Sequence, residues 1–102
     1  MTIKLKRMKT LDEYKILVGR YFKEKAVKYG VKRRGIFGSV ARNEHKTGSD
    51  IDIIYEGKAD ILMRSKMKIE LESLLGCTVD IIRKRNENST FEQQINDDIC
   101  YV

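Results

Sequence analysis

Two short β-rich runs, IDIIY at residues 51–55 and TVDII at 78–82, are separated by a stretch of helical periodicity, and this unit narrows the possible architectures most. From Asp60 to Leu75 the residues Met63, Met67, Leu71, Leu74 and Leu75 fall on one helical face, and Gly76 is a natural stop. Strand, helix and strand in that order favour a right-handed crossover between parallel strands. Ahead of the unit, VKRRGIF at 31–37 reads as a further strand, weakened in the middle by Gly35. Its short connection to 51–55 favours an antiparallel pair. Residues 10–29 place Tyr14, Leu17, Val18, Tyr21, Phe22 and Ala26 at three-and-four spacing, with Thr10 and Glu13 as a capping box and Gly30 as the end. After a turn at RKRNEN, a last helix is expected from Ser89 to Val102, with Ser89 and Glu92 as a second capping box and Phe91, Ile95, Ile99 and Val102 as its stripe. The expected fold is α/β (α+β): a small mixed three-stranded sheet flanked by helices.

At 102 residues the chain suffices for one hydrophobic core and one domain, 1–102. No apolar run approaches the roughly 20 residues of a membrane span, and the basic N-terminus lacks the apolar segment of a secretory signal. A cytoplasmic location is therefore expected, with Cys77 and Cys100 as reduced thiols. The formal charge of +6 suggests an anionic partner, and equally serves solubility, since 15 acidic residues are present.

Side chains two apart in a strand share a face, so Asp50 and Asp52 are expected to project together while Ile51 and Ile53 point into the core. Adjacent carboxylates repel, and a divalent cation with oxygen ligands, Mg²⁺ above all, is their natural counterion; a strand cap and a solvent-facing side chain is the plainer alternative. Asp80, a charge inside TVDII, shifts the balance toward a site: on a neighbouring parallel strand it can share the face of Asp50 and Asp52. Three such carboxylates make a metal site, or a pair of ions of the kind that clamps phosphoryl transfer. Gly38-Ser39, where the first strand ends, allows close backbone approach, and the amides that open SVAR suit an anion.

Gly38-Ser39, ten further residues and Asp50-x-Asp52, with Ser49 before the pair and Asp80 on a later strand, resemble the signature of the DNA polymerase β-like nucleotidyltransferases, specifically the minimal nucleotidyltransferases. Asn43 departs from the glycine of many relatives, though Asn also tolerates left-handed backbone. The resemblance implies transfer of a nucleoside monophosphate with ATP as substrate and Mg²⁺, two ions, as cofactor. By position Gly38 and Ser39 would hold the triphosphate, and Asp50, Asp52 and Asp80 the metals, Asp80 alternatively serving as base. Arg42 and Ser49 would support, Arg42 pairing with a phosphate or with Asp50 or standing as a plain surface arginine. Family members of this size act as antitoxins beside HEPN-family toxins, which implies AMP transfer to a toxin tyrosine. Neutralisation by binding alone and a nucleotide-binding subunit of a two-protein transferase are the alternatives. The basic clusters Lys32–Arg34 and Arg83–Arg85 are expected at the sheet end away from Gly38-Ser39, as a dock for an acidic partner or RNA or as a solvated edge. Direct nucleic-acid binding is not the favoured reading. His45 is expected to face solvent.

Overall fold

The computed structural model describes residues 9–46, 50–84 and 99–102. Helix α1, Leu11–Tyr29, opens on the expected capping box: Thr10 Oγ1 accepts from the Glu13 amide at 3.2 Å, and Glu13 Oε1 accepts from the Thr10 amide at 3.1 Å. Strand β1, Val31–Phe37, leads into the short helix α2, Gly38–Ala41, and β2, Ile51–Gly57, follows. Helix α3, Ile61–Leu75, is capped by Asp60 Oδ1, which accepts from the Met63 amide at 3.0 Å. Strand β3, Val79–Arg83, and a two-residue β4, Cys100–Tyr101, complete the described residues.

The sheet order is β3-β2-β1-β4, with β2 and β3 parallel across α3 and with β1 antiparallel to both β2 and β4. The α/β class stands, but among the described residues the sheet has four strands rather than three. The expected last helix does not reach Val102: Cys100 and Tyr101 pair with Ile36 and Gly35, and its residues 89–98, with the Ser89–Glu92 box, lie outside the described ones. Gly35 is the reason that this pairing fits. A Cβ there would lie 2.6 Å from Ile99 Cγ2 and 3.0 Å from the Cys100 carbonyl oxygen, so the residue expected to weaken β1 admits a neighbouring strand.

The core forms where α1 and α3 cover one sheet face, with Val18, Phe22, Met67 and Leu71 against Ile36, Ile51, Ile53 and Tyr55. Each such large side chain contributes roughly 1.5–3 kcal/mol when buried. Leu74, expected on that stripe, is instead partly exposed. The helices are also tied by a polar clasp. Tyr21 and Tyr29 of α1 donate to Glu70 Oε1 of α3 at 2.6 and 3.0 Å, and these bonds hold the Glu70 carboxyl below its usual range. A carboxyl depressed in the folded state stabilises above its unfolded value, and that stabilisation is lost as pH falls through the folded one. Glu70→Ala is expected to cost about 1–2 kcal/mol at neutral pH and less in acid, where a protonated Glu70 keeps only its weaker neutral hydrogen bonds, read by urea unfolding at both. Both cysteines are free thiols, as expected.

Candidate active site

Asp52 is the second residue of β2, and two registers fix its neighbours. Antiparallel pairing sets it opposite Phe37, the last residue of β1, and parallel pairing sets it beside Asp80, the second residue of β3. Residues paired across strands share a face, so Phe37, Asp52 and Asp80 line the face opposite α1 and α3. Ile51 and Ile53, fully buried, hold the other face in the core. The sheet therefore does what the alternation predicts: the apolar side of β2 anchors it and the opposite side presents the carboxylate. Asp50 lies one residue before β2 and is exposed, so strand alternation does not place it; its charge nonetheless acts on Asp52.

Directly after Phe37 the backbone turns at Gly38 with φ of 76°, a conformation that L side chains rarely adopt. A Cβ at this position would collide with Asp52 Oδ2 and lie 3.3 Å from Asp52 Cγ. The chain thus passes too close to the Asp52 carboxylate to leave room for a side chain, with half-buried Ser39 next and Val40 buried as the anchor of α2. The turn closes through the Arg42 amide on the Gly38 carbonyl at 3.1 Å and the Glu44 amide on the Ser39 carbonyl at 2.8 Å. Asn43 takes the left-handed conformation that its type tolerates.

Burial pushes the Asp52 carboxyl above its ordinary range, the charges of Asp80 and Asp50 push it further, and Arg42 opposes them. Among the described residues none of the three carboxylates accepts a hydrogen bond or joins an ion pair. Crowded anions with oxygen donors and no protein counterion in contact fit a hard divalent cation. Among the described residues no three acidic, His or Cys side chains converge on one point. The Arg42 guanidinium makes an ion pair with Glu44 Oε2 at 3.2 Å. Ser49 lies outside the described residues.

An open cleft of about 540 Å³ runs from Phe37 and Asp52 past Asp80 and Ile82 to Arg64 and Lys68 of α3. These two cations escaped the sequence reading, because Arg64 and Lys68, one turn apart, look like any solvated helix face. The basic clusters do lie at the other sheet end, where Arg34 and Arg83 both neighbour Tyr55. Their arginines are partly engaged in the fold. Arg33 pairs with Glu56 at 3.5 Å and covers the Tyr101 ring at 4.2 Å, and Arg83 Nη1 donates to the Gly57 carbonyl at 3.3 Å. Arg85 lies outside the described residues. His45 does not face solvent freely: it is half-buried beside Tyr14, and its Nε2 donates to the Lys9 carbonyl at 2.7 Å.

Residues 21–100 match the family described as "Polymerase beta, Nucleotidyltransferase", and the chain belongs to that family: it is a nucleotidyltransferase. Within it the chain is a minimal nucleotidyltransferase. It superposes on a solved structure described as "Structure of putative minimal nucleotidyltransferase" with a TM-score of 0.76 at 26% identity, over 93% of this chain and 98% of that one. The Methanocaldococcus jannaschii protein named "Putative protein adenylyltransferase MJ0126" is 39% identical over 93% of this chain and its own full length. "Protein adenylyltransferase MntA" of Thermococcus cleftensis is 33% identical over 93% of this chain and 98% of its own. No helix among the described residues is long and apolar enough to cross a membrane.

Proposed function

We propose that the chain is a Mg²⁺-dependent protein adenylyltransferase that moves AMP from ATP to a tyrosine hydroxyl of a HEPN-family toxin, and so acts in the cytoplasm as its antitoxin. The observation that carries this reading is the register of Asp52 beside Asp80, with the Gly38 backbone packed on the Asp52 carboxylate. The names of its relatives support a protein acceptor.

Gly38 and Ser39 hold the triphosphate on the β1 side of Asp52, with Arg42 and Ser49 as supports. Asp50 and Asp52 would hold one or two Mg²⁺ ions, which supply charge neutralisation and Lewis acidity at the phosphates, and Asp80 serves as the base. The acceptor hydroxyl oxygen attacks the α-phosphorus, and the bond from that phosphorus to the oxygen bridging to the β-phosphate breaks. Pyrophosphate leaves with the bonding electrons, and the hydroxyl proton passes to Asp80 on the outer strand β3. The test is incubation with ATP, Mg²⁺ and the protein encoded beside this one, followed by intact-mass measurement. One added AMP on the partner, lost in Asp50→Asn with Asp52→Asn, is expected. Protection of cells by that double variant would replace transfer with binding alone.

A further inference from the structure

At the sheet end remote from Asp52, a second cleft of about 620 Å³ opens between the C-terminal turn of α1 and the N-terminal turn of α3. Its walls carry Val27, 94% exposed, and Leu62, 83% exposed, with Met63 behind them. Ile16, Ile61 and Ile69 of the same helices are also exposed, while Val18, Phe22 and Leu71 are fully enclosed; what sets Val27 and Leu62 apart is that both line one cleft. The rim holds Lys28, Lys58 and Lys66 against Asp60, a net excess of two positive charges. Among the described residues Lys58 and Lys66 form no side-chain hydrogen bond or ion pair, in contrast to Arg33 and Arg83 nearby. The uncommitted charge at this end therefore lies on lysines that surround aliphatic surface.

We infer that this cleft docks an amphipathic helix of a partner protein, one that presents an aliphatic stripe to Val27 and Leu62 and acidic side chains to Lys28, Lys58 and Lys66. Charge complementarity selects the acidic flank, and the paired helix ends give the groove in which a helix lays an apolar face. A third cleft, lined in part by Leu17, Tyr21 and Leu74, lies between the same two helices. RNA fits less well, because single strands are held by stacking on aromatic rings, and the one ring here, Tyr29, is buried. The inference rests on the reading that the acceptor arrives on a partner protein, and it places the anchoring surface on the opposite end of the molecule from the chemistry.

The test uses the full chain labelled with ¹⁵N and needs no turnover. The probes are a helical peptide with Leu at i, i+3, i+4 and i+7 among Glu and Ala, a peptide of equal composition with the leucines dispersed, and an oligouridine of equal charge. Shifts confined to residues 27–30 and 58–66 with the striped peptide alone are expected, weakened at least tenfold by Leu62→Ser and by Lys58→Glu with Lys66→Glu. These positions are exposed, so the same spectra verify that the variants fold. Equal binding of the dispersed peptide, tighter binding of the RNA at these residues, or no shift at millimolar peptide would each overturn the inference. Groove binding without AMP transfer to any partner would overturn the adenylyltransferase reading and leave the groove standing.

Discussion

Asp52→Asn is expected to lower nucleotidyl transfer roughly 10³-fold while raising the melting temperature of the metal-free protein. The two effects have one origin. The Asp52 carboxyl is raised by burial and by the charges of Asp80 and Asp50, so its ionised form is held at a cost to the fold. For a carboxyl raised in the native state, the native protein binds more protons than the unfolded chain between the unfolded value, about 3.9, and the higher folded one. Stability therefore falls as pH rises through that window, and the full cost remains at neutral pH. Asn keeps the shape and removes the charge. Since Asp52 is only partly buried, solvent screening discounts the gain to about 1 kcal/mol or less, a few degrees in a domain of this size. The gain should shrink as pH is lowered toward 4. Mg²⁺ should raise the melting temperature of the unsubstituted protein by binding its native state, and that of Asp52→Asn much less. Thermal melts with and without Mg²⁺ at pH 7 and pH 4.5, alongside transfer rates, decide the matter; a metal-free Asp52→Asn that melts lower would refute the like-charge account.

The same charges explain why so much of the site is legible in the sequence. An aspartate inside IDIIY or TVDII breaks an apolar pattern, so Asp52 and Asp80 stand out from periodicity alone, and the crossover helix then dictates that their strands lie side by side. β1 spans 31–37 as its pattern predicts, because Ile36 and Phe37 are buried and turn residues bound the run. β4 was hidden for a different reason. Two residues are too few to show alternation, Ile99 and Val102 also suit a helical period, and the pairing depends on the bare surface of Gly35, distant in sequence. Arg64, Lys68, Val27 and Leu62 were hidden as well. Periodicity tells which residues can be buried on a helix, and it does not tell which exposed ones face a cleft.

Gly38→Ala should be far more damaging than Gly76→Ala, although both glycines sit in the same region of backbone space, with φ of 76° and 70°. At Gly76, the C-cap of α3, an added Cβ meets nothing within 4 Å, so only the left-handed strain counts, about 1–2 kcal/mol. That variant should melt several degrees lower and transfer AMP at the original rate. At Gly38 the same strain is joined by a collision with Asp52 Oδ2, and relief must come from the Asp52 side chain or from the turn, since the Asp52 backbone is held in β2 between two fully buried isoleucines and Gly38 lies between buried Phe37 and Val40. Either the carboxylate rotates away or the turn opens. In both cases the distance between the proposed triphosphate cradle and the proposed metal ligands changes, and a displacement of about 1 Å at a reacting centre costs on the order of 10²-fold in rate. The comparison separates stability from chemistry, since Gly76→Ala supplies the loss expected from backbone strain alone. Melting temperatures and transfer rates of the two variants at saturating Mg²⁺ should diverge in rate by at least about 10²-fold while differing in stability by only about 1–3 kcal/mol. Equal rates would show that the close approach of Gly38 to Asp52 is incidental to the reaction, and the proposed meeting of cradle and carboxylate would fall with it.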